Sequence, residues 1–235
     1  MQRPITQTLM AGVLLAWAGA AASQPRPAVV ELYTSEGCSS CPPAEAYIGE
    51  LARRGDVLAL TFHVDYWDHL GWPDRFALPD AVARQRGYAK AFANSSVYTP
   101  QVVIDGRGDF VGSDRRAIGH ALADARVGVP IALSAVDGDV IISVGQRDGV
   151  AASEVMLVAY QRKAVSKIAR GENAGRLLEE FNIVRSFRTL GRWDGNARLF
   201  RTRIDSLPQG ATDIAVLVQP PGLAPIIGAA TLPLP

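Results

Sequence analysis

Apolar and polar positions fall into blocks of different period along this chain. Residues 29–33 are a short apolar, β-branched run, which predicts a strand. Ala44, Tyr47, Ile48 and Leu51 then recur at helical spacing and Gly55 closes the block, predicting a helix over residues 44–54. Residues 57–64 read as a second buried strand. Residues 65–79, rich in Trp, Asp, Gly and Pro, read as a loop. A helix over 80–93 with Asp80 as its cap follows, then a hairpin of strands 101–104 and 109–112 around Asp105-Gly106-Arg107-Gly108. Ser113 is expected to cap a last helix reaching residue 125. An alternating start followed by a hairpin predicts a mixed sheet covered by helices, an α/β arrangement.

The pattern changes after Gly128-Val129-Pro130. Residues 131–136 and 140–144 flank Asp137-Gly138-Asp139, a strong hairpin signal. Residues 155–162, 183–190, 197–204 and 214–219 read as further strands, with Asp194-Gly195 as another turn. The expected organisation is an α/β domain over 27–127 and a β-rich, sandwich-like module over 130–235, packed so as to leave the first domain's site open.

Residues 1–22 are expected to lie outside the fold. A weakly basic start at Arg3, an apolar run from Leu9 to about Ala18 and the small residues Ala20, Ala21 and Ala22 form the three-part pattern of an export signal. The run is too short for a bilayer span, which takes about 20 apolar residues. Cleavage would release a chain without a membrane span into the periplasm or the medium. The 235 residues carry 48% hydrophobic and 20% charged residues and a net charge of +1, an ordinary globular balance. Arg185, Arg188, Arg192 and Arg198 are scattered, which points away from nucleic acid or an anionic membrane as partner.

Two cysteines exist, Cys38 and Cys41, in a compartment where disulfides persist. Three uses compete. As a staple, the pair closes a ring too short to stabilise much, because loop-closure stabilisation grows with ring size. As a redox centre between a strand and a helix, it would present Cys38 as an exposed nucleophile and Cys41 as the resolving thiol. As a metal site, two thiolates with an imidazole would suit Cu(I) or Zn(II), in a copper- or zinc-handling protein. No second C-x-x-C, Met-rich tract or His-rich tail accompanies the pair, so no metal and no cofactor is assigned. Pro42-Pro43 places the start of regular helix at one of these prolines.

The segment VELYTSEGCSSCPPA at residues 30–44 resembles the signature of a family of secreted bacterial proteins of unknown function with a thioredoxin-like fold. HVDYWD at 63–68 with LGW at 70–72, Arg84-Gln85 with Tyr88-Ala89, VYTPQ at 97–101 and GENAGR at 171–176 are similar to its further signatures. The resemblance covers essentially the whole chain after the export segment. It implies a thioredoxin-like sheet with a β-rich extension, Cys38 and Cys41 as the redox pair, and Pro100, at the start of a strand, as a cis-proline facing Cys38. Exported proteins bearing thiols or disulfides would be the partners of such an oxidoreductase.

His63, Asp65, Asp68 and His69 crowd among Tyr66, Trp67 and Trp72. His63 and Asp65, two apart, are expected to share one face of the strand end. With Trp67 and with Thr99 before the proline, they are candidate substrate contacts or modulators of the thiols, an imidazole or carboxylate serving as base. The alternative is a loop tied by local Asp caps with the tryptophans in the core. A third class is a binding protein on the same fold without turnover. Glu172, Asn173 and Arg176 would then offer its surface, against the simpler account of a glycine-flanked turn with internal hydrogen bonds.

Overall fold

The computed structural model describes residues 24–235; the expected export segment, residues 1–22, lies outside them. Thirteen strands follow in chain order, with three helices between them. The first half holds β1 (Gln24–Pro25), β2 (Ala28–Thr34), α1 (Pro42–Leu51), β3 (Val57–His63), α2 (Pro79–Ala91), β4 (Gln101–Ile104), β5 (Gly108–Val111) and α3 (Arg115–Ala121). The second holds β6 (Val127–Gly128), β7 (Ile131–Val136), β8 (Asp139–Val144), β9 (Ser153–Lys167), β10 (Leu177–Trp193), β11 (Arg198–Arg203), β12 (Asp213–Gln219) and β13 (Gly228–Pro233). The class is α/β, with a β-rich second half.

Eight strands form one mixed sheet in the order β13-β12-β9-β10-β3-β2-β4-β5. Strands β2 and β3 run parallel, and β4 and β5 return antiparallel. Both faces of this sheet are covered, so β2 and β3 are buried at every step and largely apolar rather than alternating. Val29 and Tyr33 of β2, with Leu58, Leu60 and Phe62 of β3, enter one core beside α2. Val30 and Leu32, with Val57 and Ala59, enter the opposite core with Ile48 of α1 and Ile118 of α3. A third core joins the small sheet β11-β8-β7 to the other face of the long strands through Ile142, Trp193 and Val216.

The sheet runs across position 130. Val158, Val184 and Leu217 share a core with Tyr33 and Phe62. The junction is the parallel contact of β10 with β3, at Ile183 opposite Thr61. Side chains complete it: Asn182 donates to the Ala59 carbonyl at 2.9 Å, and the Thr61 hydroxyl donates to the Phe181 carbonyl at 2.7 Å.

Two helix starts differ from expectation. Pro79 opens α2 after Leu78, so Asp80 lies in the first turn and is not the cap. Asp114, not Ser113, caps α3 by accepting from the Ala117 amide at 2.9 Å; a carboxylate one residue nearer the first turn outcompetes the hydroxyl.

Candidate functional site

Strand β2 delivers the chain to residues 35–41, a tight double turn. The Cys38 amide donates to the Ser35 carbonyl at 3.0 Å and the Cys41 amide to the Cys38 carbonyl at 3.3 Å. Regular helix begins at Pro42, where a residue without N–H costs nothing. The Cys41 carbonyl accepts from the amides of Ala44 and Glu45, so Cys41 is bound into the helix start while Cys38 precedes it. The two sulfurs form a disulfide with the Cα atoms 5.5 Å apart.

Cys38 was expected to be exposed, and it is not. Both cysteines have 0% relative accessibility, while Ser39 and Ser40 between them face solvent. The second half, which was expected to leave the site open, reaches this loop. Asn173, a surface candidate only under the binding-protein alternative, is wholly buried and donates both amide hydrogens, to the carbonyls of Glu36 and Cys38 at 2.9 Å each. Glu172 beside it accepts from the Ser39 amide at 3.3 Å.

Trp67 and Thr99 stand on another side of the loop. A β-carbon on Gly37 would come within 3.1 Å of the Trp67 β-carbon, so the glycine permits this approach. The Trp67 indole donates to the Thr99 hydroxyl at 2.8 Å. The Thr99–Pro100 bond is cis and Pro100 is buried. A β-carbon on Gly112 would lie 2.9 Å from those of both Ala44 and Pro100, which places the start of α1 against that proline.

Beneath the loop lies a set of buried ionisable groups. His63 is wholly buried and its Nδ1 lies 2.7 Å from Asp74 Oδ2, which also accepts from the Glu36 amide at 2.7 Å. Glu45, on the buried side of α1, accepts from the Thr34 hydroxyl at 2.6 Å. Glu36 accepts from the Trp72 indole at 2.6 Å, and Glu180 from Ser166 at 2.7 Å. His63 Nε2, one oxygen of Glu36 and one of Glu180 have no hydrogen-bond partner among the described residues. Burial alone would lower the His63 pKa, but the charge and hydrogen bond of Asp74, with Glu180 and Glu45 adding to them, push it up to about 9. Burial lifts Glu45 to about 6, against the pull of His63 and the Thr34 hydrogen bond. It also raises Glu180. Burial acts upward on Asp74 too, but His63 and the amides of Glu36 and Phe76 hold it below the usual range. Proton-exchanging groups thus stand behind a disulfide whose reduction takes up two protons.

The structure brings Cys38, Cys41, Trp67, Thr99 and Pro100 together and sets His63 behind them. Asp65 does not join His63: the strand ends at His63, the alternation stops with it, and Asp65 is exposed. Among the described residues no three His, Cys, Asp or Glu side chains are grouped to hold a metal ion. Glu36, Glu45, Asp74, Asn173 and Glu180 were not singled out for this site. Glu45 alone carried a local signal, a carboxylate one helical turn past Cys41 between the apolar Ala44 and Ile48.

Residues 29–219 match a family model described as "Protein of unknown function (DUF1223)". A crystal structure of a protein from Agrobacterium tumefaciens, a target of the Northeast Structural Genomics Consortium, superimposes with a TM-score of 0.77. It is 30% identical, and the match covers 90% of this chain and 96% of that one. No match is found among curated proteins.

Proposed function

The chain belongs to the DUF1223 family of proteins of unknown function, and on that footing we propose that it is an exported, thioredoxin-like thiol–disulfide oxidoreductase acting through Cys38 and Cys41. The observation that carries this reading is a disulfide closing a four-residue ring at a strand-to-helix junction. As a staple such a ring is worth only about 2 kcal/mol by loop closure. As a reaction centre it places one sulfur ahead of the helix and one at its N-cap. The strands β3, β2, β4 and β5 with α1 and α3 on one face and α2 on the other support the thioredoxin-like reading. Thr99 and Trp67 would contact the partner. The periplasm or the medium would be the compartment.

A partner thiolate attacks Cys38 Sγ; the S–S bond breaks and Cys41 leaves as a thiolate, which takes a proton. The partner's second thiol then displaces Cys38 from the mixed disulfide. Two electrons pass from the partner dithiol to the pair, so the partner is oxidised, and the reverse sequence reduces a partner disulfide. The buried carboxyls and His63 modulate these proton transfers without being required. Cys38 is the attacked sulfur because Cys41 is held by the helix start.

The test is trapping. Cys41→Ser, expressed with its export segment, should accumulate covalent complexes on non-reducing gels that a reductant releases, and Cys38→Ser should accumulate few. Equal trapping by both variants would overturn the roles. Trapping by neither would overturn the reaction.

A further inference from the structure

We propose that Asn173 is a positioning residue of the Cys38–Cys41 centre and that the turn carrying it, residues 171–176, is a cap that must withdraw before Cys38 can be attacked. Only the identity of the natural thiol partner rests on the oxidoreductase reading above; the cap itself does not.

A nucleophile must approach a disulfide sulfur directly, and neither sulfur here belongs to a residue with accessible surface. The turn holds three of the four residues 36–39. Asn173 spends its whole donor capacity on the carbonyls of Glu36 and Cys38, and Glu172 takes the amide of Ser39. Asn173 is itself fixed from behind, since Arg176 donates to its side-chain oxygen at 3.1 Å. The attachment is nevertheless slight. Glu172, Ala174, Gly175 and Arg176 are exposed, so Asn173 is the buried anchor of an otherwise solvated segment. Gly171 and Gly175 bracket it with φ of 76° and 83°, conformations that glycine leaves and re-enters at little cost. Ser39 and Ser40 are already at the surface, and lifting the turn frees the Cys38 carbonyl and the Ser39 amide beside them.

Reduction of the full-length protein by dithiothreitol reads this directly. One reagent thiolate attacks Cys38 Sγ and Cys41 departs; the second reagent thiol closes the reagent's own ring and frees Cys38. The reagent loses two electrons and its two thiol protons reappear on the cysteines. Rates would be followed by alkylation and mass measurement, at constant pH and below the urea range of unfolding. Asn173→Ala and the near-isosteric Asn173→Asp, which cannot donate, should react at least about tenfold faster than the wild type. Glu172→Ala, altering only an exposed side chain, should react about two- to fivefold faster. The wild-type rate should change little with low urea and should track hydrogen exchange at the Gly175 amide, because a local opening exposes little surface. General destabilisation would instead make every rate climb steeply with urea.

Unchanged rates in Asn173→Asp and Glu172→Ala would overturn the cap, as would a wild-type rate governed by global unfolding. Should Asn173→Ala fail to fold, Glu172→Ala and the urea dependence still decide. Faster reduction without trapped partners would keep the cap and remove the oxidoreductase. Trapped partners with unchanged rates would do the opposite.

Discussion

Replacing His63 with glutamine should cost stability at pH 6.5 and cost much less at pH 9. The imidazole is wholly buried, bonded to Asp74, and its pKa rises from 6.5 to about 9. Below pH 6.5 both folded and unfolded chains hold the proton, and the stabilisation is complete. As the pH rises through 6.5 the unfolded chain releases its proton while the folded chain keeps it, so the contribution shrinks and is gone above about 9. The shift is worth about 3 kcal/mol. The other charges facing His63 are Glu180 and Glu45, both raised, so their contributions also fall as pH rises above the ordinary carboxylate range. Asp74, which is lowered, acts in the opposite sense: its contribution is present above the ordinary carboxylate range and is lost in stronger acid. The wild type should therefore lose at least about 3 kcal/mol between pH 6.5 and 9 in urea unfolding followed by tryptophan fluorescence. His63→Gln should show only the smaller slope left by Glu180. A wild type equally stable at both pH values would refute the reasoning, as would a His63→Gln deficit that does not change with pH.

Arg84→Met should cost about 3–5 kcal/mol in urea unfolding, because it strands Glu31, 1% exposed and held bidentately at 2.6 and 3.0 Å. Gly112→Val should lower stability by about 1–3 kcal/mol in thermal unfolding, since its first side-chain carbon would lie 2.9 Å from both Ala44 and Pro100. The double variant Cys38→Ser, Cys41→Ser should stay folded and lose no more than about 2 kcal/mol, as circular dichroism in urea would show. A much larger loss would make the pair a staple.

The parts of this site that could be read from the chain are those fixed by neighbours in sequence. Two prolines after Cys41 set the helix start, and the apolar stretches of β2 and β3 announced strands of a sheet covered by helices. What escaped depends on distant residues. Glu36 meets Asp74 across 38 positions, and Asn173 meets Cys38 across 135. Nothing in the glycine-flanked turn at 171–176 distinguishes an asparagine at the surface from one clamped on another loop. The second half also looked separable, because its hairpin signals are local. The strand pairing that joins it to the first half is that of Ile183 with Thr61, with Asn182 and the Thr61 hydroxyl beside it, and these residues show no periodicity of their own.

The remoteness of Asn173 from the cysteines also orders events during synthesis. A ribosome adding about 5–20 residues per second needs about 7–27 s to travel from Cys38 to Asn173, 135 residues later. Throughout that interval the segment that later bonds to the Cys38 loop does not yet exist. In a chain exported as proposed above, oxidation waits for a compartment where disulfides persist, and an agent acting there before residues 171–176 dock meets an open loop instead of the closed mature surface. A chain terminated before residue 173 would lose that segment together with β10 and β12, whose Val184 and Leu217 share the core of Tyr33 and Phe62.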